Sequence, residues 1–428
     1  MIKPKIKKLK NGLRVLMVPM PESTSVTVAI FVRAGSAYET QKNSGISHFL
    51  EHMCFKGTEK YPRPIDISIE LEKIGAASNA FTSRDLTGYY AKTAPQHFSR
   101  AFDVVSDLYL HPHIDEQEME KEKGVIIEEI HMYDDDPRSK VSETLELGLY
   151  GDQPAGWSVA GTPQHITQTT RDMFIQYRNA RYTPQNTIVV VAGAFDAQKV
   201  SHVVQQAFGS MNSHKSAPVA PALKIREKGK QISIVERKLD QTHFAMGFYG
   251  IPLSSPKRFQ VSMLAKVLGG SMSSRLFQKV REDLGAAYYI GCSNNMYATH
   301  GFIDIYAGTN HGKTEEAIKA IIDEVRAIAN KGITTEELKR AQDYSIGTFL
   351  LSLESSSDLG FYYGQQETVT GKTESPQETI KRLKQVTTTQ VQSVAKEFLK
   401  LNSMRFSIVG PYRKAEESKF KKLFNGTH

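Results

Sequence analysis

The chain has 428 residues, more than one hydrophobic core usually supports, and this length predicts two or more domains. Hydrophobic residues make up 40% and charged residues 23%, a balance typical of a globular protein and not of a disordered one. The net charge of +8 comes from scattered lysines without an arginine-rich patch, which argues against a nucleic-acid partner.

The amino terminus, MIKPKIKKLKNGLRV, has lysines but neither the apolar segment nor the cleavage site of a secretory signal. No apolar run approaches the roughly 20 residues that cross a bilayer. We therefore expect a cytoplasmic protein with no membrane partner. Cys54 and Cys292 are the only cysteines, which fits a reducing compartment and argues against a disulfide framework or a thiolate zinc site.

The first elements alternate strands with helices. Their patterns predict a hairpin with a two-residue turn at Asn11-Gly12, a strand over 25–35, helices over 44–55 and 64–74, and strands over 78–85 and 87–93. Ser44 is the candidate N-cap of the first helix. Helices over 95–110, 115–133 and 138–150, a buried strand over 186–195 and a helix to residue 209 follow.

A pattern then repeats beyond a lysine- and proline-containing linker at 213–229. Residues 71–108 resemble 280–325, and residues 186–208 resemble 403–424, in the same order. Such paired matches predict an α+β fold of two duplicated α/β-sandwich halves, each a mixed or antiparallel sheet with helices packed on it. We expect an N-terminal domain at 1–212 and a C-terminal domain at 230–428, enclosing a clam-like cleft.

The stretch HFLEH places His48, Glu51 and His52 on one face of the first predicted helix, because positions i, i+3 and i+4 lie together. Two imidazoles four residues apart can bind one Zn²⁺, and a neighbouring carboxylate can take a proton from water. The alternative is a polar helix face with two solvated histidines.

A catalytic zinc site usually has three protein ligands, and the helix over 115–133 offers two candidates for the third. Glu129 follows Val125 and Ile126 on the apolar side, where an unpaired carboxylate is costly to bury unless it binds a cation. The sequence therefore favours Glu129 over Glu128 as a ligand. The alternative is that both are surface glutamates.

The segments HFLEHMCFKGT, SNAFTSRD and EKEKGVIIEE together resemble the pitrilysin, insulin-degrading enzyme and mitochondrial processing peptidase family, whose inverted zinc motif is H-x-x-E-H. The resemblance implies one Zn²⁺ per chain, held by His48, His52 and Glu129. It also implies that Glu122 supports the site and that Glu51 is the catalytic base.

The segment GGSMSSRLFQKVREDLGAAYYI resembles the family's C-terminal substrate segment, which implies that Arg281 and Tyr288 act on the substrate. Both side chains are hydrogen-bond donors suited to a developing oxyanion. Without the resemblance, a structural arginine and tyrosine would be the simpler interpretation. The family's peptide-binding strand corresponds to Asn79, Ala80, Phe81 and Thr82, whose plain alternative is an interior strand.

Together these features predict a zinc-dependent endopeptidase that cleaves unfolded peptides inside a closed chamber. The short length resembles bacterial-type members of the family and implies a homodimer. The alternative is a non-catalytic or partner-dependent subunit of a heterodimeric peptidase. Cys54 lies two residues after His52, a position that points away from His52 on a helix, and is interpreted as a packed cysteine. His111 and His113 follow a predicted helix end without a nearby pair of carboxylates and are interpreted as loop residues.

Overall fold

The computed structural model describes residues 3–212, 220, 223–225 and 232–425, so the predicted linker lies almost entirely outside the described residues. Eleven strands form in that part of the chain: β1 Lys5–Lys8, β2 Arg14–Pro19, β3 Val26–Val32, β4 Ala77–Thr82, β5 Thr87–Thr93, β6 Thr187–Gly193, β7 Ile232–Glu236, β8 Thr242–Tyr249, β9 Ala287–Met296, β10 Gly301–Thr309 and β11 Arg405–Gly410.

The described ranges also contain fifteen α-helices: α1 Ile46–Met53, α2 Pro64–Glu72, α3 Phe98–Leu110, α4 Glu116–Asp135, α5 Pro137–Tyr150, α6 Pro163–Gln168, α7 Arg171–Arg181, α8 Ala197–Phe208, α9 Arg258–Gly269, α10 Thr314–Lys331, α11 Thr335–Leu351, α12 Ser356–Thr370, α13 Pro376–Lys384, α14 Thr388–Phe398 and α15 Glu417–Asn425. A π-helix spans Phe277–Asp283. None of the helices in these ranges is both long and apolar enough to cross a lipid bilayer.

The chain divides into two units, each assembled from separate stretches of sequence. The first unit contains residues 1–131, 158–221 and 350–377, and the second contains 132–157, 222–349 and 378–428. Each unit therefore includes one helix from the opposite half of the sequence, α12 in the first and α5 in the second. The predicted domains, 1–212 and 230–428, divide the chain by sequence halves, and these boundaries stay a prediction.

The first unit is built on a six-stranded mixed sheet in the order β1-β2-β6-β3-β5-β4. Only β2 and β6 run parallel, and the other neighbouring strands are antiparallel. All seven residues of β3 are buried, because the sheet is covered on both faces. Val28 and Ile30 pack in the core with α1 and α3, whereas Ala29 and Phe31 pack in the core that holds Tyr363 of α12.

The second unit repeats this design with a five-stranded sheet in the order β7-β11-β8-β10-β9. It matches β2-β6-β3-β5-β4 strand for strand, including the single parallel pair, β7 with β11. Helices α9, α10 and α14 contribute to its larger core, while α5 packs on the other face. The predicted α+β fold of two duplicated sandwich halves is confirmed.

Three local predictions need correction. The ladder between β1 and β2 ends at Lys8 and Arg14, so the turn at Asn11-Gly12 is longer than two residues. Ser44 is not the N-cap of α1, because Gly45 occupies that position and Ser44 lies before it. The sequence interpretation also missed α6 and α7, although Thr162 and Thr170 cap them as threonines commonly do.

Candidate metal centre

Helix α1 carries the H-x-x-E-H motif, and its first turn is anchored by a carboxylate outside the helix. Glu39 accepts hydrogen bonds from the backbone N–H groups of Gly45, at 2.7 Å, and Ser47, at 2.9 Å. Gly45 has φ +89°, and a Cβ there would meet Ala160 O at 2.7 Å, so only glycine fits this helix start. Buried Phe49 on α1 anchors the opposite face in the core, which leaves the motif's polar side chains on the other.

The three predicted ligands converge between α1 and α4. The Nε2 atoms of His48 and His52 each lie 3.6 Å from Glu129 Oε2, and the three ligand atoms lie within 4.8 Å of one another. Donor atoms around a tetrahedral zinc lie about 3.4 Å apart, given zinc–ligand distances of about 2.1 Å. The arrangement thus fits a metal better than direct hydrogen bonds. Among the described residues no other three His, Cys, Asp or Glu side chains come this close.

The adjacent glutamates of α4 differ in their exposure. The side chain of Glu128 is 82% exposed and lies near His131, whereas that of Glu129 is 23% exposed and faces the two histidines. The sequence argument for Glu129 assumed that Val125 and Ile126 form a buried apolar side of the helix. Ile126 is fully buried, but Val125 is exposed, so the assumption holds only in part.

His52 is supported on its second nitrogen by a buried carboxylate. His52 Nδ1 lies 2.9 Å from Glu122 Oε1, and Lys56 Nζ lies 2.5 Å from Glu122 Oε2. Burial raises the pKa of Glu122, but the hydrogen bonds from His52 and Lys56 outweigh burial and hold the pKa below its usual range. Burial lowers the pKa of His52, but the hydrogen bond with Glu122 and the charges of the surrounding glutamates together outweigh burial and raise the pKa overall.

His48 has a different environment. Burial and the neighbouring His52 lower the pKa of His48 to about 4, so its imidazole is neutral at pH 7, as a metal ligand must be. Its Nδ1 atom is buried and has no hydrogen-bond partner among the described residues. The two histidines are therefore held unequally.

Glu51 lies on the same helix as the histidines and contacts the edge strand β4. Thr82 Oγ1 donates a hydrogen bond of 2.9 Å to Glu51 Oε2. Burial raises the pKa of Glu51, and the nearby charge of Glu129 adds to the shift, while Thr82 and His52 oppose it. A raised pKa brings a carboxylate closer to the range in which it exchanges protons efficiently at neutral pH.

The predicted peptide-binding residues lie on β4, which pairs with β5 and has no second partner among the described strands. Asn79 is exposed, and Ala80, Phe81 and Thr82 are partly exposed. Strand β4 is thus an edge strand and not the interior strand that was the alternative. Its free edge offers backbone groups to an extended chain.

Arg281 and Tyr288 both belong to the second unit. Arg281 lies in the π-helix, with its guanidinium 4.9 Å from the ring centre of Phe277, and π-helical turns are frequent at functional sites. Tyr288 lies on β9 and is exposed. Their roles stay predictions.

Two of the discounted residues, Cys54 and His111, contact other side chains. Cys54 is fully buried at the C-terminal end of α1, where burial raises the pKa of its thiol to about 11 and keeps it protonated. His111 Nδ1 lies 2.8 Å from the carboxylate of Asp107. The functional-site details that sequence reasoning missed are Lys56, the link from Thr82 to Glu51, and the anchoring of α1 by Glu39. Each depends on a contact between residues whose types and spacing form no known sequence motif.

Comparison with known proteins assigns the chain to a family. Residues 14–163 match the family model described as insulinase (peptidase family M16), and residues 168–345 match the model described as peptidase M16 inactive domain. The uncharacterized zinc protease YmxG of Bacillus subtilis is 34% identical over 389 residues, covering 91% of this chain and 94% of the relative. The chain belongs to peptidase family M16, the insulinase family.

Two further comparisons extend the match along the chain. An uncharacterized zinc protease of Streptomyces coelicolor is 32% identical over 417 residues, covering 96% of this chain and 90% of that protein. The crystal structure of a protease from Helicobacter pylori superimposes with a TM-score of 0.89 at 24% identity, covering 96% of this chain and 100% of that one. The likeness to the Helicobacter pylori structure supports the fold. The match to the Streptomyces coelicolor protein over nearly its whole length supports a short, bacterial-type member of the family.

Proposed function

We propose that the chain is a zinc-dependent endopeptidase that hydrolyses unfolded peptides. The observation that carries the proposal is the convergence of His48 Nε2, His52 Nε2 and Glu129 Oε2. A fourth polar side chain, Glu51, lies on the same helix as the two histidines. Two imidazoles and a carboxylate form a ligand set that suits Zn²⁺. The zinc proteases among the relatives give independent support for this metal.

A zinc ion held by these three side chains would supply Lewis acidity that lowers the pKa of a water molecule towards 7. Glu51 then acts as the general base: its carboxylate accepts the proton that water loses on attacking the peptide carbonyl. The same carboxyl group afterwards donates this proton to the nitrogen of the leaving amine, so that Glu51 returns to its starting state.

We assign substrate binding to the free edge of β4. An extended peptide would pair with the backbone of Asn79, Ala80, Phe81 and Thr82, which explains a preference for unfolded chains with loose sequence requirements. Arg281 and Tyr288 are proposed as donors to the oxyanion that develops on the scissile carbonyl. For these two residues the proposal rests on their spacing in the family segment.

The function is tested with purified protein, an unstructured peptide and metal analysis. Wild type is expected to contain about one zinc per chain and to cleave the peptide. Glu51→Gln is expected to retain zinc and lose cleavage by at least about 100-fold, because the base is removed while the ligands remain. The matched control is Glu128→Gln, whose exposed side chain lies outside the ligand cluster, and it should cleave like wild type.

Cleavage by Glu51→Gln at the wild-type rate would refute the mechanism. Wild type that holds zinc but cleaves nothing would instead support the alternative of a partner-dependent subunit.

We further propose that the active form is a homodimer enclosing a chamber. Light scattering should then give twice the chain mass, and a tightly folded protein with the same cleavage sequence should resist hydrolysis.

A further inference from the structure

We propose that Lys56 is a positioning residue for the metal site, acting through Glu122 on His52; the inference rests on the proposed function. Lys56 contacts neither the ligand atoms of the cluster nor Glu51. Its Nζ lies 2.5 Å from Glu122 Oε2, while His52 Nδ1 takes the other oxygen at 2.9 Å. One carboxylate is thus shared between a cation and a ligand imidazole.

The sharing fixes the orientation of Glu122. A carboxylate with a single partner can rotate and offer either oxygen, but here each oxygen is occupied by a different donor. The side chain of Glu122 is 6% exposed, so water cannot easily replace a lost partner. Lys56 therefore restricts Glu122 to the orientation in which His52 Nδ1 is hydrogen-bonded and His52 Nε2 points at Glu129.

The backbone explains how Lys56 reaches this place. Lys56 follows α1 in a turn where its N–H bonds to Met53 O, and the next residue, Gly57, has φ +126°. A Cβ on Gly57 would collide with the backbone oxygen of Pro62, so this reversal requires glycine. The turn keeps the lysine within one helical turn of His52, on the side where Glu122 enters from α4.

The support matters more because His48 lacks it. His48 Nδ1 has no hydrogen-bond partner in the described part of the chain, whereas His52 is linked to two further side chains. A ligand imidazole whose second nitrogen is bonded is held in one orientation and is the more effective ligand. We infer that the preorganisation of the site depends chiefly on the series Lys56, Glu122, His52.

The sign of the effect on zinc affinity distinguishes positioning from simple electrostatics. A lysine that acted only through its charge would repel Zn²⁺, and its removal would strengthen zinc binding. A lysine that positions Glu122 has the opposite effect. Lys56→Met is therefore expected to weaken zinc binding about 10-fold, the lower end of the range for residues that support metal ligands.

The experiment measures the zinc dissociation constant of the whole chain by competition with a chromogenic chelator at neutral pH, without any activity assay. Lys121→Met is the matched control, because Lys121 pairs with Glu118 on the same helix as Glu122 but is largely exposed. Lys121→Met should bind zinc within twofold of wild type. Lys56→Arg, which keeps a charged donor, should restore most of the affinity.

A double-mutant cycle tests whether Lys56 acts through Glu122. Glu122→Gln alone should weaken zinc binding, and adding Lys56→Met to it should cause no further loss. If Lys56→Met does not fold, Lys56→Gln replaces it in the same cycle. Unchanged or tighter zinc binding by folded Lys56→Met would overturn the inference. It would also be overturned if Lys56→Met weakened zinc binding as much in Glu122→Gln as it does in wild type. Absence of zinc binding by wild type would instead refute the proposed function.

Discussion

Thr82 donates a hydrogen bond to Glu51, with 2.9 Å between Thr82 Oγ1 and Glu51 Oε2. This contact joins the edge strand β4 to the helix that carries the histidines. The hydroxyl of Thr87, 3.4 Å from Thr82 Oγ1, donates to Ala34 O, so Thr87 cannot take Thr82's place on Glu51. The strand proposed to bind the peptide therefore also positions the proposed base.

We expect Thr82→Val to lower kcat about 10-fold while KM and zinc content change little, since only the carboxylate of Glu51 loses a partner. The proposed peptide binding by β4 uses the backbone of the strand, which the substitution leaves intact. Thr82→Ser keeps the hydroxyl and should restore most of kcat. An increase in KM with unchanged kcat would mean that the side chain serves the substrate and not the base.

The anchoring of α1 by Glu39 predicts a pH-dependent stability. Burial raises the pKa of Glu39 to about 7, against the hydrogen bonds from Ser47 and Gly45 and the charge of Arg84. The folded protein therefore favours the protonated acid more than the unfolded chain does, in which the carboxyl group has a pKa of about 4.3. This contribution to stability is complete below that pH and is lost as the pH rises through 7.

Glu39→Gln removes the titration. Between about pH 4.5 and 7.5, wild type should lose roughly 1–3 kcal/mol of unfolding free energy relative to Glu39→Gln. Thermal unfolding of both proteins across this range measures the difference. Glu128→Gln is the exposed control and should follow wild type at every pH. Parallel curves for wild type and Glu39→Gln would contradict the assignment.

The packing of α12 on the first sheet predicts opposite effects for two helical glycines. A Cβ on Gly364 would lie 2.8 Å from Phe31 Cδ2 and 2.9 Å from Val190 Cγ2, so Gly364→Ala should destabilise the protein by about 1–3 kcal/mol. A Cβ on Gly347 in α11 would meet no atom of another described residue within 4 Å beyond the helix's own backbone, and Gly347→Ala should be neutral or stabilising by up to about 1 kcal/mol. Chemical denaturation measures both, and equal effects would refute the packing argument.

Much of the candidate site was accessible from the sequence because helical periodicity alone brings His48, Glu51 and His52 to one face. The preference for Glu129 needed a tertiary argument, which was the cost of burying an unpaired carboxylate. The low exposure of the Glu129 side chain agrees with that argument. The duplicated halves were recognisable because strand and turn patterns recur in order. These signals are local or repeated, so a single sequence contains them.

Contacts that depend on tertiary placement were not accessible. Glu39 caps α1 from outside the helix, whereas sequence rules expect a cap such as Ser44 at the helix start. Lys56 and Glu122 are 66 positions apart in the sequence and meet only because α4 lies beside α1. Helices α5 and α12 have only weak amphipathic periodicity, so the sequence does not identify the sheet on which either helix packs.

The placement of α12 limits how the chain can be shortened. Phe361 lies 5.5 Å from Phe31, ring centre to ring centre, and Tyr363 is fully buried with Ala29 and Val190. A recombinant fragment ending at residue 212 would keep every proposed zinc ligand but expose this apolar face of the sheet. Such a fragment should aggregate on expression, because a large uncovered apolar patch drives association. Adding a peptide of the α12 sequence, Ser356–Thr370, should improve its solubility.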